Sequence, residues 1–142
     1  MEQIDIEKRI MGIDYGEKRI GIALSDPLLT FAYAFTTIQN DSNFLKNLSR
    51  IIEEKKVKKI ILGLPSVRFK SSKALSQKVL KLKFEIESKY KMEVVLWDEE
   101  YSSAIAKEKV IESVTKKSKR KQKDLLDQHS AAVILQEYLD TK

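Results

Sequence analysis

The 142-residue chain contains no cysteine and a single histidine. Without cysteine there can be no disulfides, and thiolate-held zinc or iron–sulfur centres are excluded. One histidine likewise excludes a His-rich metal site. No apolar run approaches the roughly 20 residues of a membrane-spanning helix, so no membrane partner is expected. The first residues, Met1-Glu2-Gln3-Ile4-Asp5, lack the basic-then-apolar form of a secretory signal, and a cytoplasmic location is expected. No proline-rich linker and no internal repeat divides the chain. A single domain spanning residues 1–142 is expected, long enough to bury roughly 68–70% of its unfolded surface.

Charge is present but unevenly placed. The chain has 27 basic and 21 acidic residues, a formal net charge of +6. Six of those basic residues, Lys116, Lys117, Lys119, Arg120, Lys121 and Lys123, fall within eight positions that hold no acid. The rest of the chain is therefore neutral. So local an excess points either to a polyanion contact or to a solvated, flexible surface loop.

Apolar periodicity predicts the elements. Ile10-Met11-Gly12-Ile13 and Ile20-Gly21-Ile22-Ala23-Leu24 flank a Gly16 turn as a hairpin, and Phe31, Tyr33 and Phe35 alternate as a third strand. Asp41 and Ser42 offer N-cap chemistry to a helix carrying Phe44, Leu48, Ile51 and Ile52. Ile60-Ile61-Leu62-Gly63-Leu64 and Val94-Val95-Leu96-Trp97 read as strands buried on both faces. A helix with Leu75, Val79, Leu82, Ile86 and Tyr90 separates them. Residues 104–114 and 124–139 are predicted as two further helices. Three meander strands followed by crossover units imply an α/β fold, a mixed five-stranded sheet with helices on both faces.

Chemistry in such sheets gathers at the carboxyl ends of the strands. Asp14 ends the first strand, and Asp98 and Glu99 end the fifth. Asp14 suits either a catalytic carboxylate or a hairpin turn residue. Asp127 heads a helical stripe with Ala131, Ile134, Leu135 and Tyr138, which aims it towards the sheet. It also suits position N3 behind an Asp124 N-cap, where an acid favours the helix dipole. Three acids from distant segments can meet at one sheet edge. Oxygen ligands alone select a hard cation, Mg²⁺ or Mn²⁺, and two such ions can clamp the oxygens of a phosphodiester displacement. Basic residues nearby would then supply phosphate attraction.

These residues resemble the YqgF/RuvX family, relatives of the junction resolvase RuvC within the RNase H-like fold. The resemblance covers nearly the whole chain. It rests on Gly12-Ile13-Asp14-Tyr15-Gly16-Glu17-Lys18-Arg19-Ile20-Gly21-Ile22-Ala23, Ile61-Leu62-Gly63-Leu64-Pro65, Trp97-Asp98-Glu99 with Ser102-Ser103, and Asp127 through Gln136. It implies a metal-dependent nuclease with Asp14, Glu99 and Asp127 as catalytic and metal-binding acids. The implied substrate is the 5′ end of pre-16S ribosomal RNA; a Holliday junction is the alternative. Arg19, within the first motif, is implied in phosphate contact or in orienting Asp14. Two departures stand out. Glu100 occupies the place where the family usually has Arg, and the segment after Pro65 is Ser66-Val67-Arg68-Phe69-Lys70-Ser71-Ser72. Arg68, Lys70 and Lys73 are candidates for phosphate contacts there, or simply solvated loop residues. His129, Tyr15 and Trp97 are expected as surface or core residues.

Three functional classes follow. The first is a nuclease acting on pre-rRNA or branched DNA, as monomer or homodimer. The second is a non-catalytic RNA-binding module of ribosome assembly. The third, an actin-like ATPase, opens on a similar Asp-x-Gly but needs two such lobes, which 142 residues cannot supply.

Overall fold

The computed structural model describes residues 8–64, 70–98 and 119–141, with side chains of the last two helices described from Lys73 and from Gln128 onward. Strands β1 (Arg9–Asp14), β2 (Arg19–Ser25) and β3 (Ala32–Gln39) come first. Helix α1 (Phe44–Glu54), β4 (Val57–Leu64), α2 (Lys70–Tyr90) and β5 (Glu93–Asp98) follow, and α3 (Lys119–Asp140) comes last. The sheet order is β3-β2-β1-β4-β5. The three meander strands pair antiparallel, whereas β4 lies parallel to both β1 and β5. This is the mixed five-stranded sheet that the apolar runs predict. The helix expected over 104–114 lies outside the described residues.

Alternation along the strands builds two cores. Met11 and Ile13 of β1, Ile20, Ile22 and Leu24 of β2, and Ile60 and Leu62 of β4 face α1 and α2, where they meet Phe44, Leu48, Val79 and Ile86. Ile10, Ala23 and Ile61 face the other way, against Ala131, Ile134 and Leu135 of α3. Each such Ile or Leu, fully buried, contributes about 1.5–3 kcal/mol relative to exposure. Tyr15 packs at the edge of the first core and Trp97 at the edge of the second, as expected. The Trp97 indole N–H donates to Glu137 (2.9 Å), and its ring meets Tyr138 edge-on at 5.8 Å.

Two local expectations need correction. Asp41 and Ser42 do not cap α1. The N-cap position belongs to Asn43, whose side chain makes no capping bond. Asp41 acts earlier, its carboxylate accepting the Asn43 N–H at 2.9 Å and its carbonyl the Phe44 N–H at 3.1 Å. The turn is thus closed by Asp41 before the helix starts. The second correction concerns α3. It begins at Lys119, five residues before Asp124, so the basic segment is helical from Lys119 onward and not a loop throughout. Asp124 is consequently no N-cap, and Asp127 lies in the third turn of the helix, well beyond N3. Lys, Arg and Gln are good helix formers, and no breaker interrupts 119–123.

Candidate active site

Asp14 closes β1 at the carboxyl end of the central strand. It is half-buried. Its partner on β2 is Gly21, and one step beyond the Ile13–Leu62 pair on β4 is Gly63. Both cross-strand neighbours therefore lack a Cβ, which leaves room around the carboxylate. Period-two alternation puts Asp14 on the same face as Ile10 and Gly12, the face covered by α3.

The register of α3 over β1 is fixed by close contact. A Cβ on Gly12 would lie 2.7 Å from the Ala131 carbonyl oxygen and 2.9 Å from the Leu135 Cβ. Only glycine lets the helix approach so closely. The direction of α3 follows from two hydrogen bonds. Gln128 donates to Thr37 Oγ1 at 3.1 Å, and Thr37 pairs with Gly21, the partner of Asp14. Eight residues later, Gln136 Oε1 accepts the Ala32 N–H at 2.8 Å, and Ala32 pairs with Ser25 near the start of β1. The helix therefore runs antiparallel to β1, with its earlier residues towards Asp14.

Simple geometry then sets the position of Asp127. From Ala131 back to Asp127 is four residues, about 6 Å along a helix. From Gly12 on to Asp14 is two residues, about 6.6 Å along a strand. The backbones at 14 and 127 thus stand at the same level of one sheet face. Asp98 ends β5, paired with Leu64 of β4, at the same edge. Alternation from Trp97 puts Asp98 on the α1–α2 face, where it is exposed. Glu99 lies outside the described residues, and the Asp127 side chain is not described. Among the described residues, no three acidic or imidazole side chains gather into a cation site.

The candidate basic residues divide in the same way. Arg19 opens β2 and is half-buried. It alternates with Gly21, so it shares the Asp14 face. The turn between the two strands is held by Asn40, whose side-chain amide donates to the Gly16 carbonyl at 2.8 Å. Gly16 itself is required there, since a Cβ would come 2.3 Å from the Arg19 carbonyl oxygen. Lys73 is exposed in the first turn of α2. Arg68, Lys116 and Lys117 lie outside the described residues, and the side chains of Lys70, Lys119, Arg120, Lys121 and Lys123 are not described.

Sequence reading missed two groups. Gln128 and Thr37 extend the Asp14 row across the sheet, a link visible only once strand register is known. Lys78 and Lys81 line a cleft of about 410 Å³ with Tyr15, Asn40 and Glu85 at the same end of the sheet. Lys78 stands 3.9 Å from Glu17 of the hairpin turn. Their spacing on α2 reads as an ordinary solvated face, so nothing in the sequence singled them out.

Comparison with known proteins agrees with this architecture. The model of the family described as "RuvX: Holliday junction resolvase" matches residues 8–141. A protein of Acetivibrio thermocellus named "Putative pre-16S rRNA nuclease" is 40% identical over 94% of this chain and 96% of its own. A protein of the same name from Desulforamulus reducens is 36% identical over 94% and 97%. Among solved structures, T. thermophilus RuvC in complex with a Holliday junction substrate superposes with a TM-score of 0.59 at 11% identity, covering 94% of each chain. That likeness shows the RNase H-like fold.

Proposed function

The chain belongs to the RuvX family, described as Holliday junction resolvases, and from that membership we propose a metal-dependent endonuclease that processes the 5′ end of pre-16S rRNA. The observation carrying this reading is the half-buried carboxylate of Asp14, flanked by glycines, at the level where α3 brings the backbone of Asp127. The names of relatives aligned over almost the full chain, "Putative pre-16S rRNA nuclease", support pre-16S rRNA as the substrate.

Asp14, Glu99 and Asp127 are the proposed catalytic and metal-binding acids. Alternation beyond Trp97 supports Glu99, because the next position of that series after Trp97 returns to the Asp14 face. Strands β1 and β5 are separated by β4, so their backbones lie about 9–10 Å apart, a span that two carboxylate side chains can bridge through a shared cation. The donors fit a hard divalent ion, Mg²⁺ or Mn²⁺: all are oxygens, and no thiol or second imidazole exists in the chain. Such an ion, when bound, neutralises the acids towards the phosphate and lowers the pKa of the attacking water.

The residues of the chain do the rest. Asp14 is held by its strand pairs, so its carboxylate reaches the scissile phosphate with little reorganisation. Arg19, on the same face, offers a guanidinium to a non-bridging phosphate oxygen. Lys73 and the basic residues of 116–123 draw the polyanion to the edge.

Asp14→Asn is nearly isosteric and keeps the strand register. The expected outcome is loss of Mg²⁺- or Mn²⁺-dependent cleavage of a pre-16S rRNA fragment with an unchanged unfolding midpoint. Wild-type cleavage by a clean preparation of the variant would sink the proposal. A four-way DNA junction is the second substrate to test, favoured by the family description. Preferential turnover of the junction over the rRNA fragment would transfer the assignment to DNA.

A further inference from the structure

At the other end of the sheet, about 16 Å from Asp14 along the five steps of β1, lies a cationic cleft. Its volume is about 370 Å³, and its described lining is Arg9, Pro27, Glu54, Lys55 and Lys56. Among the described residues, that lining holds three cations and one carboxylate. Lys8, next to Arg9, and Lys58, two residues past Lys56, are also exposed. The cleft is firmly built. Arg9 N–H donates to the Lys56 carbonyl at 2.9 Å, which ties the start of β1 to the end of α1. The Arg9 guanidinium donates to the Ser25 carbonyl at 3.0 Å and to the Tyr33 hydroxyl at 3.3 Å. Lys55 Nζ lies over the Phe35 ring at 5.3 Å.

Beside this cleft the turn from β2 to β3 holds an aromatic ring in solvent. Phe31 is 67% exposed and Leu28 73% exposed. The turn is ordered by Asp26, whose Oδ1 accepts the N–H groups of Thr30 and Phe31, both at 2.7 Å. Desolvation would raise the Asp26 pKa, but the backbone donors, Phe31 first, outweigh it and hold the carboxyl below its usual range. Asp26 N–H in turn donates to the Phe31 carbonyl at 3.0 Å. Its charge is thus spent inside the turn, and the Phe31 backbone is fixed while its side chain stays exposed. The turn that carries this exposed ring also lines the cationic cleft through Pro27, and an aromatic ring with cations is the pairing that binds single-stranded nucleic acid: bases stack on the ring and phosphates meet the cations. Because the turn's backbone is already ordered, little backbone entropy is lost on binding.

We propose that this edge is a second, non-catalytic binding site for single-stranded RNA, with phosphates on Arg9, Lys55 and Lys56 and a base stacked on Phe31. RNA as the occupant rests on the proposed function; the cation-and-ring chemistry is independent of it.

The test is binding of a fluorescein-labelled oligouridine in EDTA, which removes cleavage from the measurement, across a salt series. Lys55→Gln/Lys56→Gln should weaken binding and flatten the log–log salt slope by about 1.4, from roughly 0.7 per phosphate contact on a single strand. Phe31→Ala should weaken binding about tenfold while leaving the slope unchanged. Phe31 is exposed, so its variant should keep the wild-type unfolding midpoint. A wild-type slope in the double lysine variant overturns the site. Tighter binding of a blunt RNA duplex than of oligouridine, unaffected by Phe31→Ala, overturns the single-strand assignment. Because binding is read without turnover, failure of the nuclease proposal would leave this result standing, and the reverse also holds.

Discussion

Gly12 shows what one missing methyl does for this site. Its place in the motif Gly12-Ile13-Asp14 reads from sequence as a strand residue of no special note. In the fold it is the point where α3 touches β1, with room for no Cβ between them. Gly12→Ala must push the Ala131 carbonyl outward, and overpacking of this kind costs about 1–3 kcal/mol. Urea unfolding should show that loss in the midpoint. Cleavage should fall further than stability explains, because the displaced element bears Asp127. Asp14 itself was legible as an acid ending an apolar strand. What the sequence left open was whether it served a turn or a site. Register adds what the sequence could not: its neighbours Gly21 and Gly63 leave it space on the α3 face, and Gly16 and Asn40 hold the turn beside it.

Elements were legible where apolar residues repeat and obscure where they do not. All five strands follow from short apolar runs, and α1 and α2 from helical spacing. The start of α3 was missed because residues 119–123 carry no apolar stripe, only good helix formers. Position N3 for Asp127 fell with it. How α3 sits on the sheet was also invisible, because Gln136 and Ala32 are 104 residues apart. Gln136 works at both of its ends: Oε1 accepts the Ala32 N–H, and Nε2 donates to the Thr30 carbonyl at 3.1 Å. It pins the last helix to the β2–β3 turn and the edge strand. Gln136→Ala should therefore destabilise by about 1–2 kcal/mol. Hydrogen exchange should rise selectively at Ala32, where the donor loses its partner.

For the whole molecule, charge is arranged against the acids. On the proposed site, carboxylates of three segments would meet at one edge, and residues 119–123 of the basic stretch open the helix that carries one of them. Replacing Lys116, Lys117, Lys119, Arg120, Lys121 and Lys123 by Gln should lower nucleic-acid affinity and flatten the salt slope by as much as about 4 on single strands. Salt titrations of the wild-type chain and the variant, run on one oligonucleotide, check this. An unchanged slope would make the stretch an ordinary solvated surface. The cleft at the far edge was not legible at all. Arg9 starts β1, Pro27 lies in the β2–β3 turn and Lys55 follows α1, and only the fold brings these three segments together.

The central strand comes from the start of the chain and its cover from the end. During synthesis, the stretch between Asp98 and Asp140 takes roughly 2–8 s to emerge at 5–20 residues per second. For that interval the face formed by Ile10, Ala23, Ile61 and Trp97 has no helix over it. A nascent chain at this stage is sticky and, on the proposed mechanism, inert. On the same proposal, cleavage has to wait for α3 to dock, because that helix carries Asp127.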